Sequence, residues 1–218
     1  MEKFYWKLLR FFTKFGRRTH VAPHIDVVLA DDYDDHDAIL DLGGGGEGVI
    51  GRLRGHQVVA VDLREDELKE TPEGPQKVVA DARDLPFEDV SFNCVTAFFF
   101  FMYVATEDHP AVISEAFRVL ASGGEFRIWD VDIPAHPKPI KTIFIVPVRA
   151  TLPTTVINTA YGVRWSRHEQ SAKRLRQLAE AAGFVLKTEY QTANGFFLTF
   201  SKPLPDPAIS ADPQPISR

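Results

Sequence analysis

The sequence predicts an α/β fold: an open, doubly wound, Rossmann-like sheet, mostly parallel, ending in an antiparallel hairpin strand. Three observations predict it. Apolar runs suited to buried strands alternate with helical patterns between residues 38 and 131. The first of these runs breaks into Gly43-Gly44-Gly45-Gly46-Glu47-Gly48 before a helical segment and a second apolar run, the order of a βαβ unit that brings backbone close to a ligand. Near the end, two strand-like runs meet at Asn194-Gly195, a hairpin signal.

The chain begins differently. Phe4, Leu8, Phe11, Phe12 and Phe15 recur at helical spacing, with Lys3, Lys7, Arg10, Lys14, Arg17 and Arg18 opposite them. Residues 1–22 therefore read as an amphipathic basic helix. Six cations against Glu2 give the first 20 residues a net charge of +5, which leaves the rest of the chain near −10. Such a helix either packs its aromatic face on the domain or lies on an anionic membrane surface, through residues 3–18. Charges interrupt every apolar stretch there, which disfavours a cleavable signal peptide.

A single domain is expected over 23–202. Pro23 to Ala30 suits a short helix, and the acidic run Asp31 to Asp37 suits a solvated turn, since it lacks the alternating ligands and central glycine of a calcium loop. Strands follow at Ala38–Asp41 and Val58–Val61 with a helix between them, then a charged helix at Glu65–Glu70 and a strand at Gln76–Ala80. Phe92 to Phe101 is long and apolar enough for a central strand buried on both faces, its four phenylalanines read as core. A helix over Pro110 to Leu120 is expected to close at Ser122-Gly123-Gly124 before a fifth strand, Phe126 to Val131. Residues 132–165, rich in proline, aromatic and β-branched residues, are expected to be irregular, a lid or substrate wall inserted in the domain. Ser166-Arg167-His168-Glu169 fits a capping box for a helix ending at Gly183, ahead of strands at Phe184–Tyr190 and Phe196–Ser201. The proline-rich tail, 203–218, is expected to be disordered.

Three acids close successive strands: Asp41, Asp62 and Asp81. Asp41, just before the glycines, would repel a pyrophosphate and favour a cationic ligand. Asp62 is placed to accept from ribose hydroxyls, and Asp81 from an exocyclic adenine amine. An adenosine carrying an amino acid and a sulfonium satisfies all three.

With these residues in place the chain resembles the class I S-adenosylmethionine-dependent methyltransferases, of the small-molecule type that includes ubiquinone and menaquinone pathway enzymes. The resemblance rests on Ile39 to Gly45, Val59 to Leu63, Asp81 to Phe87, Ser91 to Val95 and Arg118 to Gly124, in that order, and resumes over about 166–202. It implies S-adenosylmethionine as cofactor. Asp41, Gly43 and Gly45 would line its methionine end, Asp62 its ribose, Asp81 and Ala82 its adenine, and the carbonyls around Ala97 and Phe98 its amine. The family's third glycine falls on Glu47, whose side chain is expected to point outward, with Gly48 one residue later.

Methyl transfer from a sulfonium is an in-line displacement that mainly needs alignment and exclusion of water. Should the acceptor have to lose a proton, Tyr103, His109 and Asp130 are the chosen catalytic candidates, with Asp132 and His136 nearby. The remaining features narrow the partners. A formal charge of −5 and the absence of an Asn-Pro-Pro-Tyr, Asp-Pro-Pro-Tyr or Pro-Cys motif argue against a nucleic-acid substrate. The lone Cys94, in an apolar run, reads as a buried small hydrophobe in a reducing, cytoplasmic setting; no metal site is expected. Residues 132–165, with Phe144, Tyr161 and Trp165 as an apolar wall, together with the N-terminal helix favour a small, partly apolar acceptor. The alternatives are a catalytically inactive methyltransferase-like binding or scaffold protein and an NAD(P)-dependent oxidoreductase.

Overall fold

The computed structural model describes residues 19–135 and 142–205. The expected amphipathic helix over 3–18, His136 and the tail beyond residue 205 lie outside the described residues.

The core of the molecule is a seven-stranded sheet in the order β10-β11-β7-β6-β3-β4-β5. Its parallel strands are β3 (Ile39–Leu42), β4 (Val58–Asp62), β5 (Gln76–Val79), β6 (Phe92–Phe98) and β7 (Leu120–Val131). The hairpin β10 (Val185–Gln191) and β11 (Gly195–Ser201) closes one edge, β11 lying antiparallel to β7. Every residue of β3 is buried, as a central strand with both faces covered requires. The helices are α1 (Val49–Arg54), α2 (Glu65–Glu70), α3 (His109–Val119) and α4 (Ala172–Ala181). Parallel strands joined by helical crossovers leave their carboxyl ends along one rim, and that rim carries the site.

The strands β1 (Thr19–Val21), β2 (Ile25–Val28), β8 (Ile143–Thr151) and β9 (Val156–Arg164) form a second sheet. β9 pairs antiparallel with β8 along its whole length, so β1 and β2 share the other edge of β8 end to end, both parallel to it. One apolar cluster, with Leu40, Val95, Ile113, Phe126 and Leu175, lies under α3 and α4. The other joins Ile39, Ile50, Phe99 and Trp129 of the main sheet's opposite side to Phe144, Val146 and Leu152 of the second.

The structure corrects four local readings. Pro23 to Ala30 is not helical: Ile25 and Val27 are β-branched, and the segment gains ladder bonds against Val148 and Ala150 as β2. The described part of 132–165 is not irregular, because a buried run from Ile143 to Val146 drives the β8–β9 hairpin. α3 does not reach the glycine pair; it stops at Val119, and Leu120 already pairs with Phe92. α4 is capped by Ser171, not Ser166. Gln170 exchanges backbone bonds with Ile133 and holds the chain extended. Ser171 Oγ then accepts from Arg174 N at 3.2 Å, and Asp132 Oδ1 accepts from Ala172 N at 2.9 Å.

The acidic run is a turn, as expected, and its acids have structural partners: Arg54 contacts Asp31 and Asp35, and Arg127 contacts Asp32. Cys94 is buried, and burial pushes its thiol up to about 12.

Candidate active site

The carboxyl ends of β3, β4 and β6, the glycine turn and one edge of the second sheet enclose a cavity of about 940 Å³. The turn from Gly43 to Gly48 leads β3 into α1. Gly43 sits at φ +71°, and a Cβ there would stand 2.5 Å from the Phe100 ring; Gly48, at φ +54°, is the N-cap of α1. A Cβ on Gly45 would stand 2.7 Å from Asp62 Oδ2 and 2.6 Å from Glu67 Cβ. The turn therefore presents bare backbone beside the acid that ends β4, a cradle that a side chain would fill.

The three acids line this cavity but differ in state. Asp41 is only 3% exposed and accepts a hydrogen bond from Thr96 Oγ1 at 2.8 Å. Burial raises its pKa to about 7 against the opposing effect of that bond, with nearby Asp62 adding to the rise. Asp62 accepts from Arg64 N at 2.9 Å. Asp81 is gripped by the Arg83 guanidinium at 2.6 Å, which holds its carboxyl below the ordinary carboxylate range. Arg83 also reaches Asp108 at 3.0 Å. Ala82 and Phe98 line the cavity, whereas Ala97 is wholly buried and does not reach its wall.

β6 ends in an abrupt turn. Phe99 takes φ +50°, unusual for a bulky residue, and its N–H donates to Trp129 O at 2.7 Å. This sends the expected strand off after Phe98. Phe98 and Phe99 are both buried and also form cavity wall, so core and wall are one surface here. Tyr161, on β9, stacks on Phe99 with centroids 5.0 Å apart and planes 12° from parallel. Tyr103 crosses from the turn after β6 to accept, through its hydroxyl, from Gly162 N at 3.1 Å. Desolvation raises the pKa of both phenols, keeping them protonated at neutral pH.

Of the catalytic candidates among the described residues, only Tyr103 lines the cavity. His109 is wholly buried at the start of α3, with Nε2 3.3 Å from Phe101 O and 3.2 Å from Val104 O, so that ring N–H braces the loop. Burial lowers its pKa and keeps it neutral. Asp130 is likewise a brace. It accepts from Met102 N at 3.2 Å and Gln170 Nε2 at 2.7 Å, and burial raises its pKa to about 7. Asp132 holds the start of α4.

Glu47 departs from expectation: its side chain points inward. It lines the cavity, and its Oε1 accepts from the hydroxyl of Thr159 on β9. Of the expected acceptor wall, Tyr161 lines the cavity and Phe144 and Trp165 do not. Thr159 and Gly162 escaped the sequence reading, although Ile157, Thr159, Tyr161 and Val163 alternate at strand period, because the nearby prolines masked that signal.

Comparison with known proteins agrees with this geometry. Residues 40–128 match a family described as a methyltransferase domain. A ubiquinone/menaquinone biosynthesis C-methyltransferase of Vibrio cholerae is 26% identical over 181 residues, covering 72% of this chain and 67% of its own length. A crystal structure of a Pyrococcus horikoshii protein shares the fold with a TM-score of 0.58 at 18% identity, covering 92% of this chain and 88% of that one. An S-adenosylmethionine-dependent methyltransferase of Methanosarcina mazei does so with a TM-score of 0.56 at 21% identity, over 79% and 95%. The fold is that of the class I methyltransferases, and residues 40–128 carry the methyltransferase domain. That domain and the Vibrio cholerae relative support S-adenosylmethionine-dependent methyl transfer, with S-adenosylmethionine as the cofactor.

Proposed function

We propose that the protein transfers a methyl group to a small, partly apolar acceptor by in-line displacement. When bound, the cofactor supplies a methyl already activated on a sulfonium. The chain's residues position and desolvate. Asp41, Gly43 and Gly45 are assigned to the methionine end, Asp62 to the ribose, and Asp81 with Ala82 to the adenine; the cradle at Gly45 beside Asp62 supports this assignment.

The observation that carries the acceptor class is the wall of Phe98, Phe99 and Tyr161 facing the glycine turn across the cavity. At about 940 Å³ the space is at the upper end of the range for one small ligand, which suits a cofactor and an acceptor side by side. The C-methylation named for the Vibrio cholerae relative supports a carbon acceptor within that class. Neither candidate proton acceptor beyond Tyr103 reaches the cavity, and the Tyr103 phenol is held protonated. Alignment and exclusion of water therefore carry most of the reaction.

The test is incubation with methyl-labelled S-adenosylmethionine and a whole-cell metabolite extract. Label entering the organic-solvent fraction is expected; label confined to precipitated protein or nucleic acid would overturn the acceptor class. Peripheral membrane contact through residues 3–18 is part of this reading, supported by their charge and aromatic pattern. Among the described residues no helix is long and apolar enough to cross a membrane. Co-sedimentation with anionic liposomes is expected for the full chain and absent after deletion of residues 1–18.

A further inference from the structure

The cavity has two halves, and one side chain joins them. The cofactor half is made by the glycine turn and the strand ends; the acceptor half is made by β9 and the aromatic residues facing it. Glu47 rises from the turn, where the resembling family has a glycine and hence no side chain, and its carboxylate bonds Thr159 of β9. Its field reaches the hydroxyls of both Tyr103 and Tyr161, the two phenols of the acceptor half. A methyl that passes from one half to the other must lie on the boundary these groups define. The sulfonium that carries it is the cofactor's only charge that disappears on transfer.

Asp41, the acid that first suggests a cationic ligand, is poorly suited to sense that charge. It is almost wholly buried beneath the turn, and its carboxylate is engaged by Thr96. Gly44 packs against it, since a Cβ there would stand 2.8 Å from Asp41 Oδ2. Glu47 has the opposite setting, on the cavity side of the turn and at the boundary with the acceptor wall.

We propose that Glu47 is a specificity-determining residue through which this chain distinguishes the positively charged sulfonium cofactor from its neutral thioether product. A carboxylate at the boundary favours the sulfonium while it is present, and that attraction is lost once the methyl has left. The Thr159 hydroxyl fixes the carboxylate's direction, so the second sheet takes part in cofactor selection as well as in walling the acceptor. The inference rests on the cofactor assignment above.

The test uses calorimetric titration of the full chain, without acceptor, by S-adenosylmethionine and separately by S-adenosylhomocysteine. In Glu47→Gln, which keeps size and hydrogen-bonding reach but removes the charge, affinity for S-adenosylmethionine is expected to fall about tenfold relative to that for S-adenosylhomocysteine. Glu47→Gly, which restores the glycine of the family pattern, is expected to shift the same ratio in the same direction. A sulfonium-to-thioether affinity ratio that stays at the wild-type value in both variants would overturn the proposal. So would an equal loss for both ligands, which would make Glu47 a support of the turn. If the wild-type chain binds neither ligand, the cofactor assignment itself fails, an outcome distinct from the other two.

Discussion

The two halves of the cavity are built by different kinds of interaction. The cofactor half is local. Gly43 to Gly48 is one turn, and the acids at Asp41, Asp62 and Asp81 each follow directly from where a strand ends. The acceptor half is long-range. Tyr161 reaches Phe99, Gly162 reaches Tyr103 and Thr159 reaches Glu47 across 62, 59 and 112 positions of chain. It exists only because β1 and β2 zip onto β8 and carry β9 over the strand ends. The difference teaches that cofactor binding is a property of the main sheet's rim, whereas acceptor choice depends on a sheet added beside it.

The sharpest way to break this comparison is to damage the local half alone. Gly45→Ala places a methyl against Asp62 Oδ2 and Glu67 Cβ at under 3 Å. The turn must shift, and affinity for S-adenosylhomocysteine is expected to fall by at least about a hundredfold, ~2.7 kcal/mol, with the circular dichroism spectrum unchanged. Retained binding in calorimetry would show that the cradle is not where the ligand sits. The converse damage is Tyr161→Ala. It removes the ring stacked on Phe99 and is expected to cost about 2 to 3 kcal/mol of stability by urea unfolding, while leaving affinity for S-adenosylhomocysteine within about threefold. A large loss of binding would mean that the halves are not separable.

The same contrast explains what could be read from residues alone. The glycine turn and the acids were legible because each depends on neighbours within a few positions. The succession of main-sheet strands along the chain was legible because most of them are continuous apolar runs. The second sheet was not, and Pro147 shows why. A proline in a run argues against a central strand, yet β1 pairs with β8 only through Ile145 and β2 begins at Val148. Pro147 therefore sits where no partner asks for its missing N–H. The inward turn of Glu47 was equally hidden, since its partner, Thr159, lies on the strand that the prolines obscured. His109 and Asp130 misled in the other direction. Their residue types suit catalysis and their positions fall near strand ends, but burial turns both into braces for the loop after β6.

Asp130 gives a smaller, structural test. Its carboxyl has a raised pKa, about 7 against an ordinary 3.8, so the folded chain holds a proton there that the unfolded chain releases. The stability it contributes is present in full below about pH 4 and is lost as pH rises through 7. Asp41 adds a contribution of the same sign over the same window. The urea midpoint is expected to fall between pH 5 and pH 8. Asp130→Asn is expected to flatten that fall and to cost about 1 to 3 kcal/mol at pH 5, because an amide cannot accept at both oxygen positions from Met102 N and Gln170 Nε2.

The smallest effect separates Asp41 from the other cavity acids. With a pKa of about 7, Asp41 is near half-protonated at neutral pH. The ammonium of the cofactor's methionine end, which is assigned to Asp41, stabilises its carboxylate and lowers that pKa, so binding expels a proton. Asp81, already held ionised by Arg83, has none to give. At pH 7, S-adenosylmethionine is expected to release up to about half a proton per site, read as a difference in binding heat between two buffers of unequal ionisation enthalpy. Asp41→Asn keeps an oxygen for Thr96 Oγ1 to donate to and is expected to abolish the difference, whereas Glu47→Gln should leave it in place while shifting the preference for the sulfonium. Equal heats in both buffers for the wild-type chain would place Asp41 outside the ligand's field and leave its buried carboxyl with the structural task of holding β3 to β6 through Thr96.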